Sequence, residues 1–374
     1  MKGGVDVGGL ARRIRALQRA DGAIDWVEDG IWDPWNQIEA AMGLSAAGDH
    51  TAAERSFDAL ADRQAADGSW LADMGAAAPM DRENRRLVAH LAPKIVDTNF
   101  AAYIGVGLAY CARAKGDLGV LRRHAETLGR AMDFVLACQH PSGEIAWRRP
   151  EPGEGLCAVD ALFAANCAIQ MSLDAAAWAF DALGRPRRDL AQAAAAIRQA
   201  LAGRPERFDR SWSSKTRYAM DWYYPVLTGV LSGQAARARL ARGWDTFVVA
   251  HLGCRCGSDQ PWVTAAETAE LAIACAAAGA PQVGRRLIQW LEPLRDPRGG
   301  YWMGYQLEDG LIWPQERPSW TAGAVLLAWD VLEGLTPGAA LFRSPAQSRT
   351  NTASDPVWDQ GANRPDAAAR VATS

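Results

Sequence analysis

Five acidic residues stand where an apolar helical run is about to begin: Asp33, Asp97, Asp160, Asp221 and Glu267. Each lies at or just before a predicted helix N-terminus, where a carboxylate satisfies free backbone N–H groups and is favoured by the helix dipole. Taken singly they read as caps. Brought together, carboxyl groups are the equipment of acid–base chemistry, and glycosyl transfer to water uses two of them, about 5 to 9.5 Å apart. Asp97, Asp221 and Glu267 are assigned to that work. Aromatic and amide side chains accompany them, and the expected substrate-binding set is Asp33, Trp35, Asn99, Trp222, Tyr223, Tyr224, Arg255, Trp262 and Trp320. Trp and Tyr walls suit stacking on a sugar face, and suit an isoprenoid chain or its carbocation as well. The plain alternative is aromatic packing of helix ends.

Arg82, Arg85, Arg86, Arg217, Arg255 and Arg317 fall near the same helix starts. An Arg at a helix N-terminus binds a diphosphate or uronate; solvated loop charge is the competing reading. His251, Cys254, Cys256 and Asp259 invite a zinc site, but the spacing is not that of a standard one and buried thiols are expected instead, so no metal is assigned.

The elements that must position these residues are punctuated by a recurring turn. Gln64-Ala-Ala-Asp-Gly-Ser-Trp70 has counterparts at 18–26, 139–147 and 295–302, with looser echoes at 208–212 and 258–262. A long internal period signals units that bury their apolar faces by stacking on neighbours. Between the turns, helices come in pairs. The opener of each pair is apolar nearly all round and belongs inside; the follower carries one charged face and belongs outside. Five pairs are complete. A helix over 7–18 lacks a predecessor and one opening at Ser319-Trp320 lacks a successor, so joining them closes a ring of six. The expected fold is therefore all-α, a single (α/α)6 toroid over 1–343, with 344–374 a disordered tail rich in Ser, Thr, Pro and Asn. The links from outer to inner helices are long (71–96, 148–158, 204–220, 251–263 and 295–318), and loops of that length are usually functional. They place the site at the inner-helix N-termini, with 71–96 a candidate lid.

The chain has 374 residues, 40 Lys plus Arg against 43 Asp plus Glu, and a net charge of -3. That balance carries no nucleic-acid footprint. No signal-peptide pattern or transmembrane segment is visible, and seven scattered Cys fit reduced thiols, so a cytoplasmic protein is expected.

Repeated Gln-x-x-x-Gly-x-Trp turns between helix pairs resemble the QW motifs of squalene-hopene and oxidosqualene cyclases, which share a toroid with protein prenyltransferases. The segment Met220 to Pro225 resembles bacterial proteins labelled prenyltransferase. The resemblance implies a prenyltransferase- or cyclase-like enzyme acting on an isoprenoid in the central cavity, with Mg2+ as a cofactor if the substrate is a diphosphate. The cyclases' Asp-x-Asp-Asp acid and the prenyltransferases' zinc set have no counterpart here. Six-pair toroids also serve glycoside hydrolases and lyases that use paired carboxylates, which is the second reading. A binding module without catalysis is the third.

Overall fold

Glycine stands inside the turns at 18–26, 64–70 and 139–147, past the helix ends at Leu17, Ala61 and Ala137, because nothing larger fits. Gly22, Gly68 and Gly143 have φ of 88°, 90° and 107°, in the region an L side chain rarely adopts. A Cβ on them would collide with the carbonyls of Arg55, Arg130 and Ala196. The Gln that opens each turn also locks it. Gln18, Gln64 and Gln139 donate side-chain N–H to the carbonyls of Gly22, Gly68 and Gly143, and to Ala52, Thr127 and Ala193 in the following outer helix. The repeat is thus a clamp between successive outer helices.

The computed structural model describes residues 4–28, 30–72, 74–75, 95–211 and 214–343. The expected tail at 344–374, most of the proposed lid, Arg82, Arg85, Arg86 and Trp212 lie outside them. The described residues fall into two compact units, one within Ile14–Ser213 and the other within Met1–Arg13 and Ser214–Ser374.

In the first unit the helices are α2 (Pro34–Ala46), α3 (His50–Ala61), α4 (Thr98–Ala102), α5 (Ile104–Lys115), α6 (Gly119–Ala137), α7 (Phe163–Ala182) and α8 (Arg188–Gly203). The openers α2, α5 and α7 are buried on nearly every side, whereas α3, α6 and α8 bury one face. Helix α2 packs on α3 and α5, α5 on α6 and α7, and α7 on α8. Ile104, Val106 and Leu108 of α5 are fully buried, each contributing about 1.5–3 kcal/mol over exposure. A short ribbon, β1 (Ile31–Trp32) with β2 (Met74–Gly75), leads into α2.

The second unit contains α9 (Ala219–Leu227), α10 (Gly233–Phe247), α11 (Ala265–Ala277), α12 (Pro281–Gln289) and α13 (Ser319–Glu333). Helix α11 packs on α9, α12 and α13. Helix α1 (Val7–Leu17) brings Arg13 to this unit, where its guanidinium donates to the Arg317 carbonyl at 3.0 and 2.7 Å.

The all-α expectation needs correcting here. A five-stranded antiparallel meander, β3 (Val248–Val249), β4 (Gly253–Arg255), β5 (Trp262–Thr264), β6 (Gly304–Gln306) and β7 (Leu311–Ile312), is built mostly from the segments 251–263 and 295–318 that read as loops, with β3 taken from the end of a helical stretch. Strands of two or three residues are too short to show alternation, and β5 pairs with β6 across two intervening α-helices, Thr264 opposite Gly304.

Candidate active site

Two aspartates cap neighbouring helices in the unit Ile14–Ser213. Asp33 opens α2, its Oδ1 accepting from the Asn36 backbone N–H at 2.8 Å, while Oδ2 accepts from the Trp26 indole at 2.6 Å and from the Asn36 amide. Trp26 comes from the first Gln-Gly-Trp turn, so the clamp also fixes the acid. Asp97 opens α4, its Oδ1 taking the N–H groups of Asn99 and Phe100 at 2.7 and 3.2 Å. Its Oδ2 has no hydrogen-bond partner among the described residues. Burial pushes both carboxyls up to about 6, against the donors that favour ionisation; the negative charge of Asp33 raises Asp97 further.

A third acid stands behind them. Glu39 of α2 is buried, pushed up to about 7 by that burial, and accepts from Tyr103 Oη at 2.6 Å. The Tyr103 ring stacks on Trp35 with centroids 3.7 Å apart, and Phe100 lies 6.3 Å from Trp35. Trp35 and Asn99 are half-buried, and the Asn99 side-chain oxygen has no partner among the described residues. Beside Asp97 a cavity of about 750 Å³ is lined by Val96, Trp147 and Arg148 among others. Arg148 is paired with Asp97 in a β-bridge. The cavity's size falls in the range of small-ligand sites.

The unit containing α9 and α11 holds a cluster of different construction. Glu270 accepts from the buried phenols of Tyr223 and Tyr224, the latter at 3.0 Å. Burial and the Glu270 charge raise the Tyr223 phenol well above its ordinary range, keeping it a donor. Glu267 lies in the first turn of α11 and accepts from the Thr264 hydroxyl. Thr264 stands at the N-cap of α11 without capping it through its side chain, since that hydroxyl faces the carboxylate rather than a backbone N–H. The Cys256 thiol lies against Glu267 and is raised by burial and by that charge.

Other expected site residues are placed as follows. Asp221 is not a cap: it sits inside the first turn of α9, raised by burial and countered by Arg239, 4.0 Å away. Trp222 is buried, donating its indole N–H to Arg239 and stacking on Phe247 of α10 at 5.2 Å. Asp160 precedes α7 without capping it. Burial would raise it, but the N–H and hydroxyl of Ser211 hold it below the usual carboxylate range. Arg255, half-buried on β4, donates to the Gln260 carbonyl; Trp262 and Trp320 are half-buried on β5 and in the first turn of α13. Glu39, Glu270 and the buried Glu316 ahead of α13 were missed. A lone charge inside a largely apolar helix was the available signal for Glu39, and a second acid one turn after Glu267 was the signal for Glu270; Glu316, in a loop, carries no periodicity at all.

No model of a known protein family matches the chain. It is 38% identical over 337 residues, 89% of this chain and 88% of the relative, to the MMP endo-(1,4)-3-O-methyl-alpha-D-mannosidase of Mycolicibacterium hassiacum. Its fold is similar to that of a solved wild-type glycosidase, with a TM-score of 0.63 and 18% identity, covering 89% of this chain and all of that one. It is also similar to the GH63 mannosylglycerate hydrolase from Thermus thermophilus with Tris and D-glycerate, with a TM-score of 0.66 and 12% identity over 85% and 98% of the two chains. These findings overturn the resemblance to terpenoid cyclases and protein prenyltransferases, and with it the isoprenoid substrate. The turns that carried the resemblance are packing clamps that any stack of helix pairs can use. Among the described residues no helix is long and apolar enough to cross a membrane.

Proposed function

Because this chain belongs to the family of the MMP endo-(1,4)-3-O-methyl-alpha-D-mannosidase, we propose that it is a glycoside hydrolase cutting internal α-(1,4) bonds between 3-O-methylated mannose units. The observation that carries the proposal is the pair Asp33 and Asp97, two capped carboxyls raised to about 6, one by the charge of the other as well as by burial. Where two acids interact this way, one keeps its proton while its neighbour is ionised. Asp33, with three donors on its two oxygens, is the ionised member. Asp97, with Oδ2 uncommitted among the described residues, is the proton donor to the leaving oxygen. The Asp33 charge holds that proton in place and opposes the positive charge that develops on the sugar ring. Glu267 and Asp221 remain proposed catalytic carboxylates, each to be tested separately. Trp35 and Asn99 are proposed to hold the sugar, by stacking and by accepting a hydroxyl.

The experiment is incubation with α-(1,4)-linked 3-O-methyl-mannooligosaccharides, with products followed by mass spectrometry and by NMR of the anomeric proton. Mid-chain cleavage supports the reading, and the first anomer formed assigns retention or inversion. An inert wild-type enzyme sinks it. The closing of six helix pairs into one (α/α)6 toroid over residues 1–343 belongs to the same proposal. Deleting residues 7–18 should then unfold the protein, and a deletion that melts like the full chain rules the closed ring out.

A further inference from the structure

One face of the β4–β7 meander presents an apolar strip. Side chains alternate along a strand, so Trp262 and Thr264 of β5 share a face and Val263 takes the other. The register places Trp262 opposite Gln306 and Gln306 opposite Leu311, which puts all three in one row on the Thr264 face. Trp313 follows two residues after Leu311; its N–H donates to the Gly304 carbonyl, and its own carbonyl accepts the Trp262 indole N–H at 2.7 Å. The two indoles meet edge to face, centroids 5.6 Å apart. A Cβ on Gly304 would strike the Trp262 ring, so the ring lies directly over that backbone. Trp313 is 55% exposed and Leu311 45%.

The strip runs into a carboxylate. Thr264, two residues or about 7 Å along β5 from Trp262, is buried and bonded to Glu267. The acceptors along the row are already engaged, while the Gln306 amide N–H groups and the Trp313 indole N–H have no partner among the described residues. The Gln306 side-chain oxygen accepts the N–H groups of Glu308 and Asp309, and the Trp262 indole is used by Trp313. Such a surface offers donors but no free acceptor, so the O–H of a bare hydroxyl buried there loses its water without replacement. It suits a methyl ether, which has no donor to satisfy and adds apolar area.

Resting on the glycosidase reading above, we propose that the Trp262–Leu311–Trp313 strip is a subsite that recognises the O-methyl groups of a methylated α-mannooligosaccharide. Each methyl buried there favours binding by about fourfold, the ratio that about 0.8 kcal/mol produces.

The test compares wild type with Trp313→Ala and Leu311→Ser, both at exposed positions, using the 3-O-methylated α-(1,4)-mannotetraose and its unmethylated counterpart. Binding is read by saturation-transfer NMR and turnover by KM and kcat. In wild type the methyl resonances should take up the most saturation. Trp313→Ala should remove that signal and raise KM for the methylated sugar at least fourfold, with kcat and the unmethylated KM unchanged. Equal losses for both sugars, no loss in either variant, or a wild type that binds neither sugar would overturn the subsite. A wild type that binds the methylated sugar through Trp313 without cleaving it would retain the subsite and remove the hydrolase reading. Cleavage indifferent to Trp313 and Leu311 would do the reverse.

Discussion

The Asp33–Asp97 cluster and the Glu267–Glu270 cluster place similar side chains in opposite circumstances. Asp33 and Asp97 are held by N–H donors of backbone, amide and indole, which a carboxyl accepts from in either protonation state. Glu270 and Glu267 are held by hydroxyl donors, two phenols and a threonine. Each phenol hydrogen bond matches a carboxylate, and the Tyr223 phenol is driven further from ionising by the charge it serves. Burial raises both aspartates and leaves one oxygen of Asp97 uncommitted among the described residues, whereas both oxygens of Glu270 take phenol hydrogens. Partner chemistry, rather than the type of acid, is what distinguishes the two clusters.

The sharpest way to break that comparison is to neutralise one acid in each cluster. Asp97→Asn keeps the cap and removes the proton, so kcat should fall by about 10²- to 10⁴-fold with the circular dichroism spectrum intact. Glu270→Gln should lose far less activity, and equal losses would erase the distinction. Tyr223→Phe leaves the half-buried Glu270 with one donor fewer and should cost about 1–3 kcal/mol in a urea denaturation series. An unchanged midpoint would mean that the pair adds nothing to stability.

Smaller effects sharpen the contrast through pH. If Asp97 is the donor, kcat/KM should fall as pH rises through about 6, and Asp33→Asn should move that limb to lower pH because the charge that raises Asp97 is gone. A limb that stays put would uncouple the two acids. Stability moves the same way. Asp33, Asp97 and Glu39 bind protons more tightly folded than unfolded, so their contribution is present near pH 4 and is lost as pH rises toward 6 to 7. The melting temperature of Asp33→Asn should therefore match or exceed wild type at pH 7 and lose the advantage near pH 4; a variant less stable at pH 7 would show Asp33 to be a structural cap.

Much of the helical layout was legible because glycine and capping residues mark where helices must stop and start. The break at Gly116 is a left-handed cap and Asp33 and Asp97 are N-caps, as their neighbours in sequence implied. The meander was not legible, because its pairing is long-range and its strands are shorter than one alternation. In the site, residue types showed which carboxyls sit at helix starts, but acidity depends on burial and on neighbours distant in sequence, as with Glu39 and Tyr103, 64 residues apart. The isoprenoid reading failed for a related reason: Gln, Gly and Trp in those turns serve packing, and packing does not specify a substrate.

The clamps also have a direction. Gln18 reaches a residue 34 positions later, Gln64 one 63 later and Gln139 one 54 later. Each turn therefore waits on a segment that the ribosome has yet to make. As the chain emerges from its N-terminus, Trp26 and Asp33 are synthesised early, but the turn carrying Trp26 can finish its hydrogen bonds only after α3 has appeared. Every helix pair along Ile14–Ser213 repeats that delay, so the order of synthesis is also the order in which the clamps can shut.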